Sequence, residues 1–324
     1  MIAEILSRAP ALEVAARLIY WRVPLAKAAG DAVLARRAGK RRSVPRSTGD
    51  VRIEAVTGAI GEMGVGEGDI LVVHSSFDRL KATGLAPADV NRALKAIVGE
   101  SGTLAMPAIP IIRHEPQGTA KFDPASYDRV FDFDVRSRRI ATGELPKALM
   151  MDPAAHRSRH PGNSMVAVGP EAAAMMEHNL DEPEPTPCGR GSSWEYCYKR
   201  NAAVVALGID LIHSLTMTHV AEDTRDTWWP VRGWYRRRRF RITDGEFELE
   251  TTIREREHGW SQFIPQRAYS RDLYRNAIAD TRVADTLEVH SCRSNPLIEY
   301  IVSHPNATYP YLFPFGFRAR GRPA

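Results

Sequence analysis

The sequence predicts an α/β fold whose central sheet is mainly parallel or mixed and is flanked by helices. Short apolar runs with the length and composition of buried strands lie at 69–74, 102–107, 165–168 and 202–208. Segments with helical periodicity lie between several of them, and a strand–loop–helix–strand order favours parallel pairing through a crossover helix. We therefore expect a main domain over residues 51–324, preceded by a helical extension and basic linker over residues 1–50.

Length and composition restrict the class of protein. The chain has 324 residues, of which 44% are apolar, which is enough for one large core or two modest ones. No uninterrupted apolar run of about 18 residues is present, so we expect neither a transmembrane helix nor, given the charges near the N-terminus, a signal peptide. Three scattered cysteines favour a reducing cytoplasm and no metal site. The net charge of +5 favours anionic ligands, a phosphate-bearing cofactor or an acidic membrane surface.

The N-terminal extension is largely apolar over residues 12–34, with scattered arginine and lysine, and becomes a polar linker at 40–49. It has two interpretations. It packs on the body or on a second subunit, or it is a basic amphipathic helix that lies on an anionic membrane surface. Packing is favoured, because Pro24 and Gly30 would break a single long helix.

The first elements of the main domain place polar residues at one edge of the sheet. A helix at 53–63, a strand at 69–74, a helix at 88–98 and a strand at 102–107 are expected. In such sheets ligands bind outside the carboxyl ends of the strands. Turn chemistry and helix capping are the alternative roles of the serines. The residues placed at these ends are Ser75, Ser76, Phe77, Met106, Pro107 and Ala108.

The middle of the chain contains a candidate base. Residues 111–139 predict a long loop over the site. A helix at 143–151 then leads into Arg157–Ser164, where His160 precedes Pro161 and is therefore pushed towards extended conformations. We interpret His160 as a general base that the two flanking arginines keep neutral. The alternative is a surface loop whose histidine bonds a carbonyl.

A second constellation follows the strand at 202–208. Thr216, His219 and Glu222 recur every three residues on a predicted helix from about residue 215, so they share one face. The alternative is a solvated helix face. Further on, aromatic residues lie on both sides of the run Arg236–Arg239. The pattern at 240–250 predicts a hairpin with an Asp-Gly turn. We predict that residues 260–302 are helical.

Four spaced motifs occur in a fixed order along the chain. They are LVVHSS at 71–76, VGESGTLAMP at 98–107, RSRHPGNS at 157–164, and ALG at 206–208 followed by TMTHVAE at 216–222. Together they resemble the aminoglycoside 3-N-acetyltransferase family, which does not have the common GNAT fold, over about residues 51–305. The resemblance implies an α/β fold, acetyl-CoA as donor, and catalytic roles for His160, Thr216, His219 and Glu222. The expected donor-binding residues are His74, Ser75, Ser76, Phe77, Met106, Pro107, Ala108 and Ser164.

The chain departs from this family's pattern at three positions. Ile140 replaces a common serine, Lys147 a common glutamate and Ala108 a common threonine. The first two changes make the acceptor pocket less polar and less acidic. With the basic composition, they favour a less cationic acceptor than an aminoglycoside, such as an amino sugar on a phosphate, a nucleotide or a glycan.

The main hypothesis is therefore an acetyl-CoA-dependent N-acetyltransferase that uses direct transfer. His160 or His219 serves as the base, Glu222 orients an imidazole, and backbone N–H groups near Ser76 or Ala108 hold the thioester oxygen. Aminoglycoside resistance is the alternative acceptor assignment. Two further hypotheses remain. One is a non-catalytic protein that binds nucleic acid or a membrane surface through the Arg236–Arg239 run, the nearby Trp234 and Tyr235, and the basic N-terminal segment. The other is acyl transfer through Cys188 or Cys197.

Overall fold

Two sheets form the framework of the fold. The computed structural model describes residues 2–23, 27–28, 30–32, 50–211, 214–225 and 229–313. Its strands are β1 (Ile70–Ser75), β2 (Thr103–Pro107), β3 (Val130–Asp134), β4 (His156–Arg157), β5 (Met165–Val168), β6 (Ala203–Leu207), β7 (Tyr235–Asp244), β8 (Phe247–Arg256), β9 (Ala279–Ala284) and β10 (Leu287–Arg293). Within the described residues the larger sheet has seven strands in the order β4-β5-β2-β1-β6-β10-β9, and the smaller has the order β3-β7-β8.

The centre of the larger sheet is parallel, because β1 pairs in parallel with both β2 and β6. The outer pairings, with β5 and β10, are antiparallel, which confirms the mixed α/β prediction. Every residue of β2 and β6 is buried, as expected for parallel strands covered on both faces. Side chains alternate between two cores: Leu71 and Val73 contribute to one, and Ile70 and Val72 to the other.

Helices cover both faces of the larger sheet. Beyond two N-terminal helices, α1 (Ile2–Arg8) and α2 (Pro10–Arg22), they are α3 (Ile53–Glu62), α4 (Phe77–Leu80), α5 (Pro87–Val98), α6 (Glu144–Leu149), α7 (Ala172–Glu177), α8 (Ser193–Lys199), α9 (Val220–Asp223), α10 (Gln266–Arg275) and α11 (Ser294–Ser303). One core packs under α3, α5 and α6, and the other under α7, α8, α10 and α11. As predicted, α5 is the crossover between the parallel strands β1 and β2.

Two sequence predictions are wrong about strands. The predicted loop at 111–139 contains β3, which pairs in parallel with β7, far along the chain. The predicted helical region at 260–302 contains β9 and β10, which extend the larger sheet as an antiparallel hairpin. Asp285 makes the tight turn between them with a φ of 53°, a left-handed conformation that Asp tolerates better than most residues. Because these strands are short and partly polar, their identity depends on distant partners that a local pattern cannot show.

The N-terminal helices pack on the body through one face of α2. Glu13 is 1% exposed and accepts hydrogen bonds from the backbone N–H and side chain of Arg267. Arg17 donates to the side chain of Gln266 and to the carbonyl of Ser261. The predicted linker at 40–49 lies outside the described residues, and the boundary at residue 50 remains a prediction. In the described part of the chain, none of the helices combines the length and apolar character that a membrane crossing requires.

The arginine run lies on β7, where alternate side chains point inward and outward. Arg236 and Arg238 are 8% and 5% exposed. Both are paired with Glu255, and Arg238 also binds Glu115 at 2.6 Å. Because these inward guanidinium groups are already paired, only the outward Arg237 and Arg239 of the run face solvent, and each lies near a carboxylate of the chain. This pairing weakens the nucleic-acid hypothesis.

Candidate active site

A cavity of about 540 Å³ lies at the carboxyl ends of β1, β2 and β6. This is the edge of a parallel sheet where ligands bind. Five of the eight predicted donor-binding residues line it, namely His74, Ser75, Ser76, Phe77 and Pro107. The loop before α6 contributes Thr142 and Gly143, and the segment after β6 contributes Ser214 and Thr216.

The other three predicted donor-binding residues are buried next to the cavity rather than on its lining. Met106 and Ala108 are 0% exposed and Ser164 is 1% exposed. Ser164 Oγ donates to the carbonyl of Ser158. The two predicted oxyanion donors are also engaged: Ser76 N–H donates to the carbonyl of Leu207 at 3.0 Å, and Ala108 N–H to that of Ser164 at 2.6 Å. The N–H groups of Ser76 and Ala108 themselves are therefore engaged, and the expectation that backbone N–H groups near them hold a thioester oxygen stays a prediction.

Two buried polar atoms on the cavity lining have no hydrogen-bond partner within the described residues. They are His74 Nε2 and Thr142 Oγ1. Burial lowers the pKa of His74 to about 4, so the ring is neutral near pH 7. The ring stacks on Trp194, with centroids 6.0 Å apart. Since buried polar groups without a partner are costly, these two atoms mark where a ligand's amide or hydroxyl groups would bind.

Two residues of the second predicted constellation, His219 and Glu222, contact each other. Thr216–His219 is a 3₁₀ turn that continues into α9, rather than the single helix predicted. Residues three apart eclipse one another on a 3₁₀ turn, so His219 follows Thr216 about 6 Å along the same face. His219 Nδ1 lies 3.1 Å from Glu222 Oε1, and the imidazole is 22% exposed. With the proton on Nδ1, the Nε2 lone pair remains available to accept a proton.

Glu222 is the centre of a buried network that the sequence did not reveal. It is 1% exposed, and its Oε1 accepts a hydrogen bond of 2.5 Å from the Tyr311 hydroxyl. Arg256 donates to the same tyrosine and lies 3.9 Å from Glu222 Oε1. Arg256 Nη1 is also 3.3 Å from His219 Nδ1, which is a contact between two donors when Nδ1 carries the proton. Burial alone would raise the pKa of Glu222, but His219 and Arg256 bring it below its ordinary value.

The pKa of Asp223, the next residue, is shifted in the opposite direction. It accepts hydrogen bonds of 2.9 Å from Cys188 N–H and from the Tyr235 hydroxyl. Burial and the neighbouring Glu222 carboxylate raise its pKa from 3.8 to about 7. The folded state therefore keeps a proton between about pH 4 and pH 7 that the unfolded chain has lost. Since the folded state binds more protons there, this group's contribution to stability falls as the pH rises.

We expect Asp223→Asn to remove that fall in the free energy of unfolding, which is at most about 1.4 kcal/mol for each pH unit. The measurement is urea unfolding of both proteins at about pH 5 and pH 7. Buried His74 and His160 act in the opposite direction, so the difference between the two proteins isolates Asp223. Equal pH slopes in the two proteins would contradict the assignment.

His160 is not placed as the sequence predicted. It is 2% exposed, its Nδ1 accepts from Gly162 N–H at 3.0 Å, and its Nε2 lies 3.4 Å from the carbonyl of Pro185. Burial, not the flanking arginines, lowers its pKa to about 4. Arg157 and Arg159 point elsewhere, to backbone carbonyls and to Asp244. Both ring nitrogens are occupied by the protein's own backbone, so this geometry is that of a structural histidine.

The His-Pro segment instead supports the aromatic side chain on which His74 stacks. The carbonyl of Asn163 accepts a hydrogen bond from Trp194 Nε1 at 2.8 Å, and the Trp194 ring stacks against the ring of His74. A Cβ at Gly162 would lie 2.8 Å from Pro187 Cγ, closer than real carbon contacts allow. Only glycine therefore fits where this turn passes the 181–187 loop.

The cysteines do not have the setting of an acyl-accepting nucleophile. Cys188 and Cys197 are 0% exposed. Burial raises the pKa of both thiols, that of Cys197 to about 12. A thiolate is the reactive form, so the cysteine-intermediate hypothesis has no structural support.

The model for the aminoglycoside 3-N-acetyltransferase family matches residues 72–304, which is more than half of the chain. The chain belongs to the aminoglycoside 3-N-acetyltransferase family. Aminoglycoside N(3)-acetyltransferase III of Serratia marcescens is 34% identical over 187 residues, covering 52% of this chain and 63% of the relative. The matched region thus spans less than two thirds of that curated protein.

Solved structures of this family share the fold. Aminoglycoside acetyltransferase AAC(3)-Xa has a TM-score of 0.63 at 23% identity, with 77% of this chain and 90% of that chain covered. AAC-IIIb, solved as a binary complex with CoASH, has a TM-score of 0.59 at 21% identity, with 77% and 94% covered. Helices α1 and α2 and the residue Tyr311 lie outside the part of the chain that the family model matches.

Proposed function

We propose that this member of the aminoglycoside 3-N-acetyltransferase family is an acetyl-CoA-dependent N-acetyltransferase with His219 as general base. The observation that carries the proposal is the His219–Glu222 pair on the turn that begins at the cavity. A carboxylate that fixes Nδ1–H of an imidazole and leaves Nε2 open is the usual construction of a base near neutral pH. Membership of the family and the CoASH complex of a structural neighbour support coenzyme A as the carrier.

The cavity fits the pantetheine arm of such a donor. An arm with two amides needs hydrogen-bonding groups inside an otherwise apolar channel, and His74 Nε2 and Thr142 Oγ1 are orphaned polar atoms on this lining. Ser75, Ser76 and Thr216 add hydroxyl groups. Acetyl-CoA, when bound, supplies an electrophilic thioester carbonyl. Lys81 on the same lining would meet its phosphates, although it is already paired with Asp78 at 2.7 Å.

The roles of the side chains follow from their contacts. His219 Nε2 accepts the proton that the acceptor nitrogen loses as its bond to the acetyl carbon forms. Glu222 keeps the proton of the ring on Nδ1 and stabilises the imidazolium, while Tyr311 and Arg256 hold this carboxylate in place. Thr216, on the same face and on the cavity lining, positions the acceptor or the donor. His160 supports the turn behind the site.

The names of the curated relatives support an aminoglycoside as acceptor. An aminoglycoside is an amino sugar with several ammonium groups, and carboxylates that face the site would attract it. One observation favours a second candidate, a less cationic amino sugar with a biosynthetic role. Among the described residues, two carboxylates that could serve this purpose are already paired: Glu184 with Arg237 at 2.8 Å, and Glu144 of the cavity lining with Lys147 at 2.9 Å.

The test compares acceptors directly. Purified protein is mixed with acetyl-CoA and either a gentamicin-type aminoglycoside or a nucleotide-linked amino sugar, and thiol release gives kcat/KM. We expect acetylation of the aminoglycoside, with a kcat/KM about tenfold or more above that for the sugar nucleotide. The reverse order would assign the second candidate. Failure of every amine to exceed hydrolysis of acetyl-CoA would contradict the proposed activity itself.

A further inference from the structure

The face of α2 that points away from the body is apolar. Glu13 and Val14 on the opposite face are buried, whereas Leu12, Ile19 and Val23 are 58%, 55% and 43% exposed. Alanines at 11, 15 and 16 occupy the same outward face, since positions three, four and seven apart are neighbours on a helix. A surface helix normally turns polar residues to solvent. This helix is apolar outside and holds its buried carboxylate on the inside.

Exposed apolar side chains are concentrated in the N-terminal extension. Among the described residues, five of the large apolar side chains that are exposed lie between residues 5 and 23, and the others are scattered over the rest of the chain. Monomeric proteins seldom group such side chains without a partner. Three of the five share the outward face of α2 and its C-terminal end, and we call them the outer patch. They are Leu12, Ile19 and Val23.

Positive charge accompanies the N-terminal helices. Arg22 lies on the exposed face of α2, and α10, against which α1 and α2 pack, adds Arg267, Arg271 and Arg275. The nearby carboxylates already form ion pairs: Glu4 with Arg8, Glu13 with Arg267 and Asp31 with Lys27. Among the described residues, Arg22, Arg271 and Arg275 form no ion pair with a carboxylate. We call these three arginines the basic rim.

Together, the outer patch and the basic rim fit an anionic membrane better than a second copy of this chain. In a symmetric dimer each patch faces its own copy, so the two basic rims would meet and repel. An anionic bilayer instead offers hydrocarbon to the patch and negative headgroups to the rim. We propose that α2 lies in the plane of an anionic membrane surface and holds the enzyme there through the outer patch and the basic rim.

The test is flotation of the full chain with lipid vesicles. We expect it to float with phosphatidylcholine vesicles that contain about 30% phosphatidylglycerol, and to float much less with phosphatidylcholine alone or at high salt. Leu12→Glu with Ile19→Glu should lower the bound fraction about tenfold or more, because charges then enter the apolar layer. The matched control is Ile111→Glu with Val283→Glu, at positions 52% and 68% exposed outside the patch.

The control pair should bind as the wild type does, and thermal melting by circular dichroism should confirm that all variants fold. Absence of wild-type binding to anionic vesicles would overturn the proposal, as would an equal loss in the control pair. Sedimentation equilibrium tests the alternative, in which a second copy of the chain covers the outer patch. A dimer that Leu12→Glu with Ile19→Glu dissociates would assign the outer patch to a second copy of the chain and would also overturn it. None of these results depends on acetyl transfer.

Discussion

His219→Ala is expected to lower kcat by about 10²–10⁴-fold, the usual effect of removing a general base. The alanine removes Nε2, the atom that we propose takes the proton from the acceptor. The acidic limb of the kcat/KM profile against pH should disappear with it, because that limb reports protonation of the base. Thiol release at saturating acetyl-CoA, measured across pH, gives both quantities.

Alanine variants of two other histidines serve as comparisons for His219→Ala. His178 is 60% exposed and bonded to Asp181, so His178→Ala should leave turnover and its pH profile unchanged. His160→Ala separates the two histidines that the sequence offered as bases. Because His160 is buried and bound by backbone groups, we expect this change to cost about 1–3 kcal/mol of stability, with the pH profile of the remaining active protein preserved. Loss of the acidic limb in His160→Ala, but not in His219→Ala, would reverse the assignment.

Glu222→Gln is expected to produce a second large loss of turnover, on the order of 10²–10⁴-fold. The amide has a similar shape but no charge, so it neither fixes Nδ1–H as strongly nor stabilises the imidazolium. The change also leaves Arg256 without its nearest carboxylate oxygen at 3.9 Å, and we expect about 1–3 kcal/mol of lost stability. Steady-state kinetics and urea unfolding on the same preparation separate the two effects.

Glu195→Gln is the matched control. Glu195 is 9% exposed, accepts from Gly191 N–H at 2.8 Å and pairs with Lys199. It is therefore a carboxylate of comparable burial that does not contact an imidazole. Its replacement should change stability with little change in turnover. An equal loss of turnover in the two variants would show that the effect comes from lost folding rather than from orientation of His219.

The sequence was informative where chemistry depends on near neighbours. Thr216, His219 and Glu222 are three residues apart, so any helical turn places them on one side, and the apolar runs in β1 and β6 predict buried parallel strands. The sequence was uninformative about the burial of single polar side chains. His160 has the residue type and backbone restriction expected of a base, but whether its nitrogens meet solvent or carbonyls depends on Pro185, which the turn at 181–187 brings against it.

Long-range contacts account for the remaining failures. Arg256 and Tyr311 reach Glu222 from distant parts of the chain, and neither belongs to a local motif. Similarly, β3 is recognisable as a strand only through its pairing with β7. The arginines of β7 illustrate the same limit: their alternation could be read from the sequence, but their partner Glu255 across the hairpin could be seen only in the fold.

The hydroxyl of Tyr311 makes the proposed base depend on a residue outside both sheets. The described strands all end by Arg293, whereas Tyr311 follows the last helix, α11. A chain shortened before residue 311 would keep every described strand, and with them the strand ends at which the cavity lies. Glu222 Oε1 would lack its 2.5 Å donor. Such a shortened chain would therefore separate the binding of a ligand in the cavity from the orientation of the proposed base.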